Sequence, residues 1–556
     1  MKFALRVLLA AAGVGASVSG VVAADPDSGL LQRAMGDELA RTVAQLKLEA
    51  ARPPYFAAYR VEDTRKAEVV ASFGSIVNST PQPERKRRAI VELRVGSPQL
   101  DQTNYLMRGE DAGPDAPRFA TDLPLDDDYA TIRRRLWLAT DEAYRTAVDE
   151  LARKTAALQN KARTDDTGDF TSAPVTHTAD LAPALVYDAG ATEQLARELS
   201  AVFREFPAIQ TSSVTIKQRE RTVYYVNSEG STFVRRRVEL VVLIEAQAQA
   251  PDGHEVGDLF YRLLGHASGL PARAQLLAET RALAGRVTAL RGATPPEVYA
   301  GPVLFAGDAA TELFMQVSGR LIALKLPVVS ASNFEVNENP WQNRIGARVL
   351  PDFLNVTDDP TRREFAGQPL FAAASTDDEA VATRPLKLIE AGRLKSLLTD
   401  RVPSPGARTS TGSRRGGGPM PSNLIVTAEA GLDAAALRAR LVGLARERGR
   451  DFGIVVRRLF PAVSCAKVFA DGHEEPLRNA ELGEISAEMF KDIVAAGREP
   501  HVEHVIMTLR RPTAGPSDET VSLVVPALLL EEATVKPQEE GAAPLPVRGH
   551  PYFARE

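Results

Sequence analysis

The sequence predicts an α+β protein with mixed α/β N-terminal and middle regions followed by a large strand-rich C-terminal domain. Up to residue 292, segments with helical periodicity are interspersed with segments in which apolar and polar residues alternate, as in half-buried strands. Pro295-Pro296 interrupts this pattern, and from residue 298 to 535 the sequence is mostly strand-like. A chain of 556 residues is too long for one hydrophobic core, so two or three domains are expected.

The N-terminus has the pattern of a secretory signal peptide. Lys2 and Arg6 precede an apolar run of small residues, and Val22-Ala23-Ala24 supplies the small side chains that signal peptidase requires. We therefore expect residues 1–24 to be cleaved and the protein to be exported, to the periplasm or the extracellular space. The alternative is an uncleaved membrane anchor, which the short run rich in Gly, Ser and Ala disfavours. No later segment approaches the roughly 20 apolar residues of a membrane span.

Residues 29–130 are predicted to form an N-terminal α/β domain. Apolar side chains recur at three- and four-residue spacing over 29–49, which predicts a helix. Over 54–96, apolar and polar side chains alternate, which predicts short strands with a turn at 78–83.

A middle domain of helices and a hairpin is predicted for residues 131–295. Its expected elements are one or two helices over 130–162, an exposed loop over 163–180 in which His177 is solvated, a hairpin over 214–250 and a helix over 271–292. The hairpin prediction rests on the turn sequence Asn-Ser-Glu-Gly at 227–230, which two alternating runs flank.

The C-terminal domain is predicted to span residues 298–535 and to combine many strands with three helices. The helices are expected at 311–324, 433–448 and 486–496, and the strands include 501–510 and 521–530. Asp433 suits the N-cap of the second helix, and Gly449 follows its last residue. Residues 536–556 are rich in Pro and Glu, which predicts a disordered tail.

Composition and missing motifs exclude several classes of function. A net charge of −5 gives no reason to expect nucleic acid as a partner. Cys465 is the only cysteine, so an intrachain disulfide is excluded. The glycine-rich run at 412–419 lacks the Gly-Lys-Ser/Thr end of a phosphate-binding loop, and there is no Gly-x-Ser-x-Gly nucleophile elbow.

Five motifs in a fixed order carry a resemblance to a known family. They are Asp358-Asp359-Pro360, Asp377-Asp378-Glu379, the run from Leu388 to Lys395, Thr411-Gly412, and a closing hairpin within 466–497. In this order they are similar to the C-terminal domain of the TldD/PmbA family of zinc metallopeptidases, with Ala380 where that family usually has glycine. The resemblance covers roughly 298–510 and implies a large antiparallel, barrel-like C-terminal domain.

The resemblance also implies where the family's zinc site falls on this chain. In the TldD branch, a helix carries His-Glu-x-x-x-His, whose imidazoles bind Zn²⁺ and whose glutamate acts as general base. Those positions fall on Met315, Gln316 and Arg320. A thioether is a poor zinc ligand, a guanidinium cannot lose its proton to become one, and an amide cannot accept a proton from water. No catalytic residue and no cofactor are therefore predicted, and zinc is expected in catalytic relatives only.

Other possible metal ligands match the family poorly. Cys465 lies at the start of the closing hairpin, whereas the family's cysteine ligand lies beyond it, so a buried structural cysteine is expected. His501 and His504 are three residues apart on a predicted strand, so their side chains should point to opposite faces. His473 belongs to a predicted hairpin turn and is expected to be solvated.

Two charged groups are predicted to bind a substrate. Asp377, Asp378 and Glu379 form a carboxylate cluster that could bind a cation, although such a run between strands is usually only solvated. Arg414 and Arg415 lie in the glycine-rich run, which is predicted to be a mobile loop, and could contact a carboxylate or the backbone of a peptide.

Three hypotheses for the function stay open. The first is an exported, non-catalytic family member that binds extended peptide, or that pairs with a zinc-bearing TldD-like homologue or with itself; the family pairs a zinc-bearing TldD with a motif-less TldE (PmbA). The second is an active metallopeptidase with relocated ligands, for instance His501 or His504 with the cluster at 377–379. The third is a structural or binding protein of the cell envelope.

Overall fold

The computed structural model of the protein describes residues 26–47, 52–106, 119–159, 166–266, 269–325, 328–329, 339–511 and 514–538. The predicted signal peptide lies outside these residues. The helices are α1 Pro26–Gln45, α2 Tyr129–Gln159, α3 Ala189–Ala201, α4 Arg273–Leu290, α5 Asp308–Ser318 and α6 Ala434–Glu447. None of these described helices combines the length and the apolar character needed to cross a bilayer.

The strands fall into two groups along the chain. The first group comprises β1 Pro54–Ser72, β2 Ser75–Ser79, β3 Glu84–Ser97, β4 Leu100–Asp101, β5 Tyr105–Leu106, β6 Ala120–Asp122, β7 His177–Leu181, β8 Ile209–Asn227, β9 Thr232–Gln249 and β10 Glu255–Leu264. The second comprises β11 Tyr299–Phe305, β12 Val328–Val329, β13 Leu354–Asp358, β14 Glu364–Phe365, β15 Gln368–Pro369, β16 Leu386–Glu390, β17 Arg393–Leu394, β18 Arg414–Arg415, β19 Gly418–Pro419, β20 Asn423–Ala428, β21 Phe452–Arg458, β22 Val463–Phe469, β23 Glu474–Leu482, β24 Ile493–Arg511 and β25 Ala514–Pro537.

A nine-stranded sheet, here called the first sheet, spans both predicted N-terminal regions. Its order is β10-β9-β8-β1-β3-β4, with β2, β6 and β7 attached at the sides. Strands β1, β8 and β9 are 18 or 19 residues long and pair antiparallel. The predicted hairpin is β8–β9, and its turn contains Gly230 with φ 100°, a value that favours glycine. Because β1 pairs with β8, strands from the predicted first and middle domains belong to one sheet.

The helices cover the first sheet over two separate hydrophobic clusters. One cluster joins α1 and α2 to β1 and β3 through buried residues such as Leu31, Leu136 and Val91. The other joins α3 and α4 to β8 and β9, for example through Leu199 and Leu283. The two cores are thus separate although the sheet is continuous.

The C-terminal strands form a second, ten-stranded sheet. Its order is β11-β21-β22-β23-β25-β20-β13-β16-β17, with β24 paired to β25. β11 pairs with β21 and also with β25. Since β21 leads through β22 and β23 to β25, these five strands form a closed ring of pairs. Most pairs are antiparallel, but β11–β21 and β20–β25 are parallel. The predicted α+β class is confirmed.

Two helices pack against the second sheet in different clusters. Buried residues of α5, including Leu313, Phe314 and Val317, belong to the main C-terminal core. The predicted helix at 433–448 is confirmed as α6, and the Asp433 side chain accepts a hydrogen bond from the Ala436 N–H, as an N-cap does.

The prediction of a helix at 486–496 is wrong. Only Met489–Asp492 forms a 3₁₀ turn, and the chain then enters β24 at Ile493. Ile493 and Ala496 are buried and pair with Leu530 and Leu528 of β25. Long-range pairing and burial therefore override the helical pattern of this short segment.

Two other predicted boundaries also change. The loop predicted at 163–180 ends in a strand, β7, which starts at His177. β7 forms because its backbone pairs in parallel with β9. His177 is nevertheless exposed, as predicted. Strand β25 extends to Pro537, two residues beyond the predicted domain end, and residues 539–556 of the predicted tail lie outside the described residues.

Asp358, in the first of the five motifs, is a fully buried carboxyl at the end of β13. It accepts hydrogen bonds from the Ser422 N–H at 2.8 Å and from the Ser422 hydroxyl at 3.1 Å. Burial raises the pKa of Asp358 to about 7. The folded protein therefore keeps this carboxyl protonated at pH values where the unfolded chain, with a pKa of about 3.9, has lost the proton.

Replacing Asp358 by Asn should remove part of the pH dependence of stability. In the wild type, the contribution of the neutral Asp358 is fully present below about pH 4 and is lost as the pH rises towards 7, because the unfolded state ionises first. The free energy of unfolding, measured with urea between pH 4 and 7, should thus fall more in the wild type than in Asp358→Asn. Parallel pH curves for the two proteins would contradict this.

Candidate functional site

Buried ion pairs join the first sheet to the C-terminal domain. The Asp378 carboxylate accepts hydrogen bonds from Arg60 of β1 at 2.9 Å and from Arg235 of β9 at 2.6 Å. Arg221 of β8 donates two hydrogen bonds of 2.9 Å to Glu519 of β25. We call these five residues the arginine–carboxylate interface. It holds the two sheets in one fixed arrangement.

Asp377 and Glu379 are buried beside this interface, so the interpretation of the cluster as merely solvated is wrong. Asp377 accepts the N–H groups of Glu379 and Val381, each at 2.9 Å, and thereby shapes its own turn. Ala380, which replaces the family's glycine, has φ 61°. The turn therefore requires a left-handed conformation, which explains why glycine suits this position.

The three neighbouring carboxyl groups have different proton affinities. Burial raises the pKa of Asp377 to about 7 and that of Glu379 to about 8. Burial acts on Asp378 in the same direction, but the charges of Arg60 and Arg235 outweigh it and hold the Asp378 pKa below its ordinary value. At neutral pH, Asp378 is thus the anion of the group.

Arg414 and Arg415 occupy β18, not a mobile loop. Arg414 lies 3.3 Å from both Glu379 and Asp400. The buried Arg415 donates to the carbonyl oxygens of Ala372 and Thr520. All five predicted substrate-binding residues therefore have partners within the protein, and their binding of a substrate stays a prediction.

The sequence resemblance assigns the family's zinc motif to positions on and just after α5. Leu313 and Val317 are buried, Met315 packs against the core, and Gln316 is exposed. Arg320 follows α5 in the 3₁₀ turn Gly319–Leu321. A thioether packed on the core, an amide and a guanidinium do not fit a zinc ion, so these positions do not form the family's metal site.

A cavity of about 960 Å³ lies between the two sheets. Its lining comes from β9 and β10 of the first sheet and from β22 and β23 of the second, and Gln316 of α5 also contributes. Apolar side chains, including Val256, Phe460 and Leu482, share the lining with charged ones such as Asp258 and Arg458. Gln316, to which the resemblance assigns the position of the family's general base, thus faces a large cleft.

Histidine and carboxylate side chains meet at the first turn of α5. His501 Nε2 lies 2.9 Å from Asp308 Oδ1, and the Thr311 hydroxyl donates to Glu503. Donor atoms of Asp308, His501 and Glu503 all lie within 4.8 Å of one another. We call these three residues the His501 cluster. Among the described residues, it is the one group of three that could hold a metal ion.

The carboxyl groups of this region influence one another. Burial and the neighbouring charge of Asp308 raise the pKa of Glu503 to about 8, and burial raises that of Glu312 to about 7. Burial alone would also raise the pKa of Asp308, but the hydrogen bond with His501 and the charge of Arg458 lower it. Asp308 is therefore the carboxylate that carries the charge.

Arg458 connects the His501 cluster to the cavity. One of its guanidinium nitrogens lies 3.3 Å from Asp308. Another donates to Asp258 and, at 2.8 Å, to the Leu259 carbonyl oxygen of β10. The cluster and the cavity thus share a positively charged side chain.

The His501 cluster was not predicted from the sequence, because His501 was considered only in a pair with His504 or with residues 377–379. That pair behaves as predicted: His504 lies on the other side of β24, 4.2 Å from the Phe371 ring, and bonds to Ser522. A signal existed in His501-x-Glu503, since a spacing of two places both side chains on one face of a strand. Within the described part of the chain, neither histidine forms a metal-ligand group with residues 377–379.

Two further predicted residues lie where the sequence indicates. Cys465 is buried in β22, and burial raises the pKa of its thiol to about 12. His473 is half-exposed beside the β22–β23 turn and contacts Asp471 at 2.6 Å. Cys465 is a buried structural residue and His473 is a surface residue, and neither belongs to the His501 cluster.

Residues 300–537 match the family model described as the PmbA/TldA metallopeptidase C-terminal domain. This range nearly coincides with the predicted C-terminal domain. No curated protein sequence matches the chain.

Solved structures share the fold over most of the chain. A TldE from Thermococcus kodakarensis is similar at 13% identity with a TM-score of 0.53, over 90% of this chain and 100% of that one. Proposed DNA gyrase modulators from Bacteroides thetaiotaomicron and Thermotoga maritima are also 13% identical, with TM-scores of 0.56 and 0.55. They cover 92% and 86% of this chain and 99% and 96% of their own. The shared fold thus includes the first sheet.

The arginine–carboxylate interface predicts different effects for two neighbouring substitutions. Asp378→Asn removes the shared counter-ion of Arg60 and Arg235, which should lower the free energy of unfolding at pH 7 by about 3–5 kcal/mol. The matched variant Glu379→Gln should change it much less, because burial already keeps Glu379 neutral at that pH. Chemical denaturation of the two variants tests this, and equal losses would contradict it.

Proposed function

Because the chain belongs to the TldD/PmbA family, we propose that it is a peptide-binding subunit without a zinc site of the His-Glu-x-x-x-His type. It binds extended segments of polypeptide and assists proteolysis by a zinc-bearing TldD-like homologue, or acts as a homodimer. The observation that carries this proposal is the cavity between the sheets, which Gln316 lines in place of a catalytic glutamate.

The chemistry of α5 supports a non-catalytic role on this helix. Hydrolysis of a peptide bond by zinc needs ligands for the ion and a base for its water molecule. Met315 and Arg320 cannot serve as the two ligands, and Gln316 cannot serve as the base. All three groups are replaced together, so no single compensating side chain restores the mechanism on α5.

The edge of the first sheet supports binding of an extended peptide. β10 is an edge strand, and its residues from Glu255 to Leu259 line the cavity. Side chains from the C-terminal domain hold the ends of this stretch, since Asn479 donates to the Glu255 carbonyl oxygen and Arg458 to that of Leu259. An extended peptide can add to such an edge through its backbone, while apolar pockets receive alternate side chains.

A second candidate is a peptidase with relocated ligands. The His501 cluster favours it, because one imidazole and two carboxylates meet beside the cavity. The two candidates differ in whether the isolated chain cleaves the peptide that it binds.

We also propose that the protein is exported. The basic residues, the apolar run and the small residues before position 25 support cleavage of residues 1–24. An exported chain would meet its peptides and its partner outside the cytoplasm.

Filling the cavity should weaken peptide binding without unfolding the protein. Ala462 is an exposed residue of the cavity lining, so Ala462→Trp adds a bulky side chain where a peptide would lie. Fluorescence anisotropy with a labelled, unstructured peptide of 10 residues or so should show affinity reduced at least about tenfold, a loss of about 1.4 kcal/mol. Ala435→Trp, at an exposed position of α6 outside the cavity lining, is the matched control and should leave affinity unchanged.

The same peptide also separates the two candidate functions. The proposal expects it to stay intact when incubated with the isolated chain and added Zn²⁺, as mass spectrometry would show. Cleavage that is lost on chelation would favour the relocated-ligand peptidase. No binding by the wild type, or equal binding by both tryptophan variants, would refute the cavity as the peptide site.

Export predicts a new N-terminus. The protein expressed with its full leader in a Gram-negative host should be recovered from the periplasm with Asp25 as its first residue, because signal peptidase cleaves after Ala24. N-terminal sequencing measures this directly. A cytoplasmic protein that retains residues 1–24 would contradict it.

A further inference from the structure

The His501 cluster is formed by two elements that the fold fixes independently. Asp308 opens α5, and its helix is anchored in the core by Leu313 and Val317. His501 and Glu503 lie on β24, whose pairing with β25 holds both side chains on one face of the strand. The three donor atoms therefore approach one another because of the fold and without a flexible loop.

The spacing of the donor atoms suits a metal ion. Nitrogen and carboxylate ligands lie about 2.0–2.2 Å from Zn²⁺, so two neighbouring ligands of a tetrahedral site are about 3.4 Å apart, slightly more than the two atoms of a hydrogen bond. The distance between Asp308 Oδ1 and His501 Nε2 is 2.9 Å, and the Glu503 oxygen is within 4.8 Å of both. Glu503, whose carboxyl accepts from the Thr311 hydroxyl, would turn towards this pair to complete three ligands around one point.

From this geometry, we propose that Asp308, His501 and Glu503 bind one divalent transition-metal cation, such as Zn²⁺ or Mn²⁺. One imidazole nitrogen with two carboxylate oxygens is a borderline donor set, which binds such ions better than it binds Mg²⁺. Glu503 would release its proton when the ion binds, so that two carboxylates then compensate the charge of a divalent ion. This site goes beyond the proposed peptide binding and does not depend on it.

The site is distinct from the zinc position on α5 that the resemblance implies. Asp308 precedes Met315 by seven residues, which is about 10 Å along a helix. The ligands here come from the first turn of α5 and from β24, whereas the family's histidines both lie further along the helix. The metal would therefore sit at the other end of α5.

A positively charged side chain, Arg458, lies next to the ligands. It approaches Asp308 Oδ2 at 3.3 Å, whereas His501 contacts Oδ1. Arg458 therefore leaves Oδ1, the oxygen beside His501, available to the ion. Arg458 lowers the affinity by repulsion and at the same time orients the Asp308 carboxylate.

Another histidine on the surface shows what the site requires. His473 also lies near two carboxylates, but Asp471 contacts its Nδ1 at 2.6 Å and Glu475 approaches its Nε2 at 3.7 Å. The two acids are thus on opposite sides of the ring and cannot share an ion with it. His473 is the matched control for His501.

Isothermal titration of Zn²⁺, and separately of Mn²⁺, into the metal-free full chain tests the proposal without any peptide. One equivalent should bind, with Zn²⁺ tighter than Mn²⁺, in the presence of excess Mg²⁺. Loss of a residue that only hydrogen-bonds to a metal ligand typically weakens binding roughly 10- to 100-fold. His501→Ala and Glu503→Gln each remove a ligand and should weaken binding by more than this. His473→Ala should bind like the wild type.

Circular dichroism verifies that each variant is folded. The absorption spectrum of Co²⁺ bound to the wild type is a second measurement, which needs no variant. A visible spectrum typical of nitrogen and oxygen ligands supports the site. Absence of binding by the wild type, or stoichiometric binding that survives both His501→Ala and Glu503→Gln, would overturn it. Either result leaves the peptide-binding proposal to be decided by its own anisotropy measurement.

Discussion

The arginine–carboxylate interface is the constraint on which the rest of the structure depends. Buried charges are tolerated only when they are paired, so Arg60 and Arg235 require Asp378, and Arg221 requires Glu519. These pairs fix the first sheet against the C-terminal domain. Only in that arrangement does the edge of β10 stand opposite β22 and β23, with the cavity between them.

A second contact between the domains positions the candidate site itself. Asp258 of β10 pairs with Arg286 of α4 and with Arg458 of the C-terminal domain, and Arg458 also reaches Asp308. The cavity and the His501 cluster are thus joined by one chain of charges. A change in these ion pairs would therefore alter the surroundings of both candidate sites.

Local patterns in the sequence were sufficient for elements whose structure is decided locally. The β8–β9 hairpin and α6 with its Asp433 cap follow from periodicity, turn residues and capping, whereas β1 is longer than the short strands predicted over 54–96. The segment 486–496 could not be predicted in this way, because its partner residues Leu528 and Leu530 lie on β25, a strand that begins at Ala514. The burial of Asp378 was equally hidden, since its arginine partners are 143 and 318 residues away in the chain.

The candidate site shows the same difference between features that short segments of sequence decide and features that depend on long-range pairing. Once neighbouring motifs indicated the family, the resemblance assigned its zinc motif to Met315, Gln316 and Arg320, and this expectation needed only the sequence. The meeting of Asp308 with His501 needed the pairing of β24 and β25, which no short window of sequence contains. Spacing alone would have placed His501 and Glu503 on one face, but not opposite a helix.

The central claim is that α5 has lost its zinc site while the cavity beside it still receives peptide. Crystals soaked with Zn²⁺ and an unstructured peptide, measured at the zinc absorption edge, test it most directly. The account predicts uncut peptide along β10, and no anomalous peak at Met315 or Arg320. Zinc bound at the Met315 end of α5, or a cavity without peptide, would contradict it.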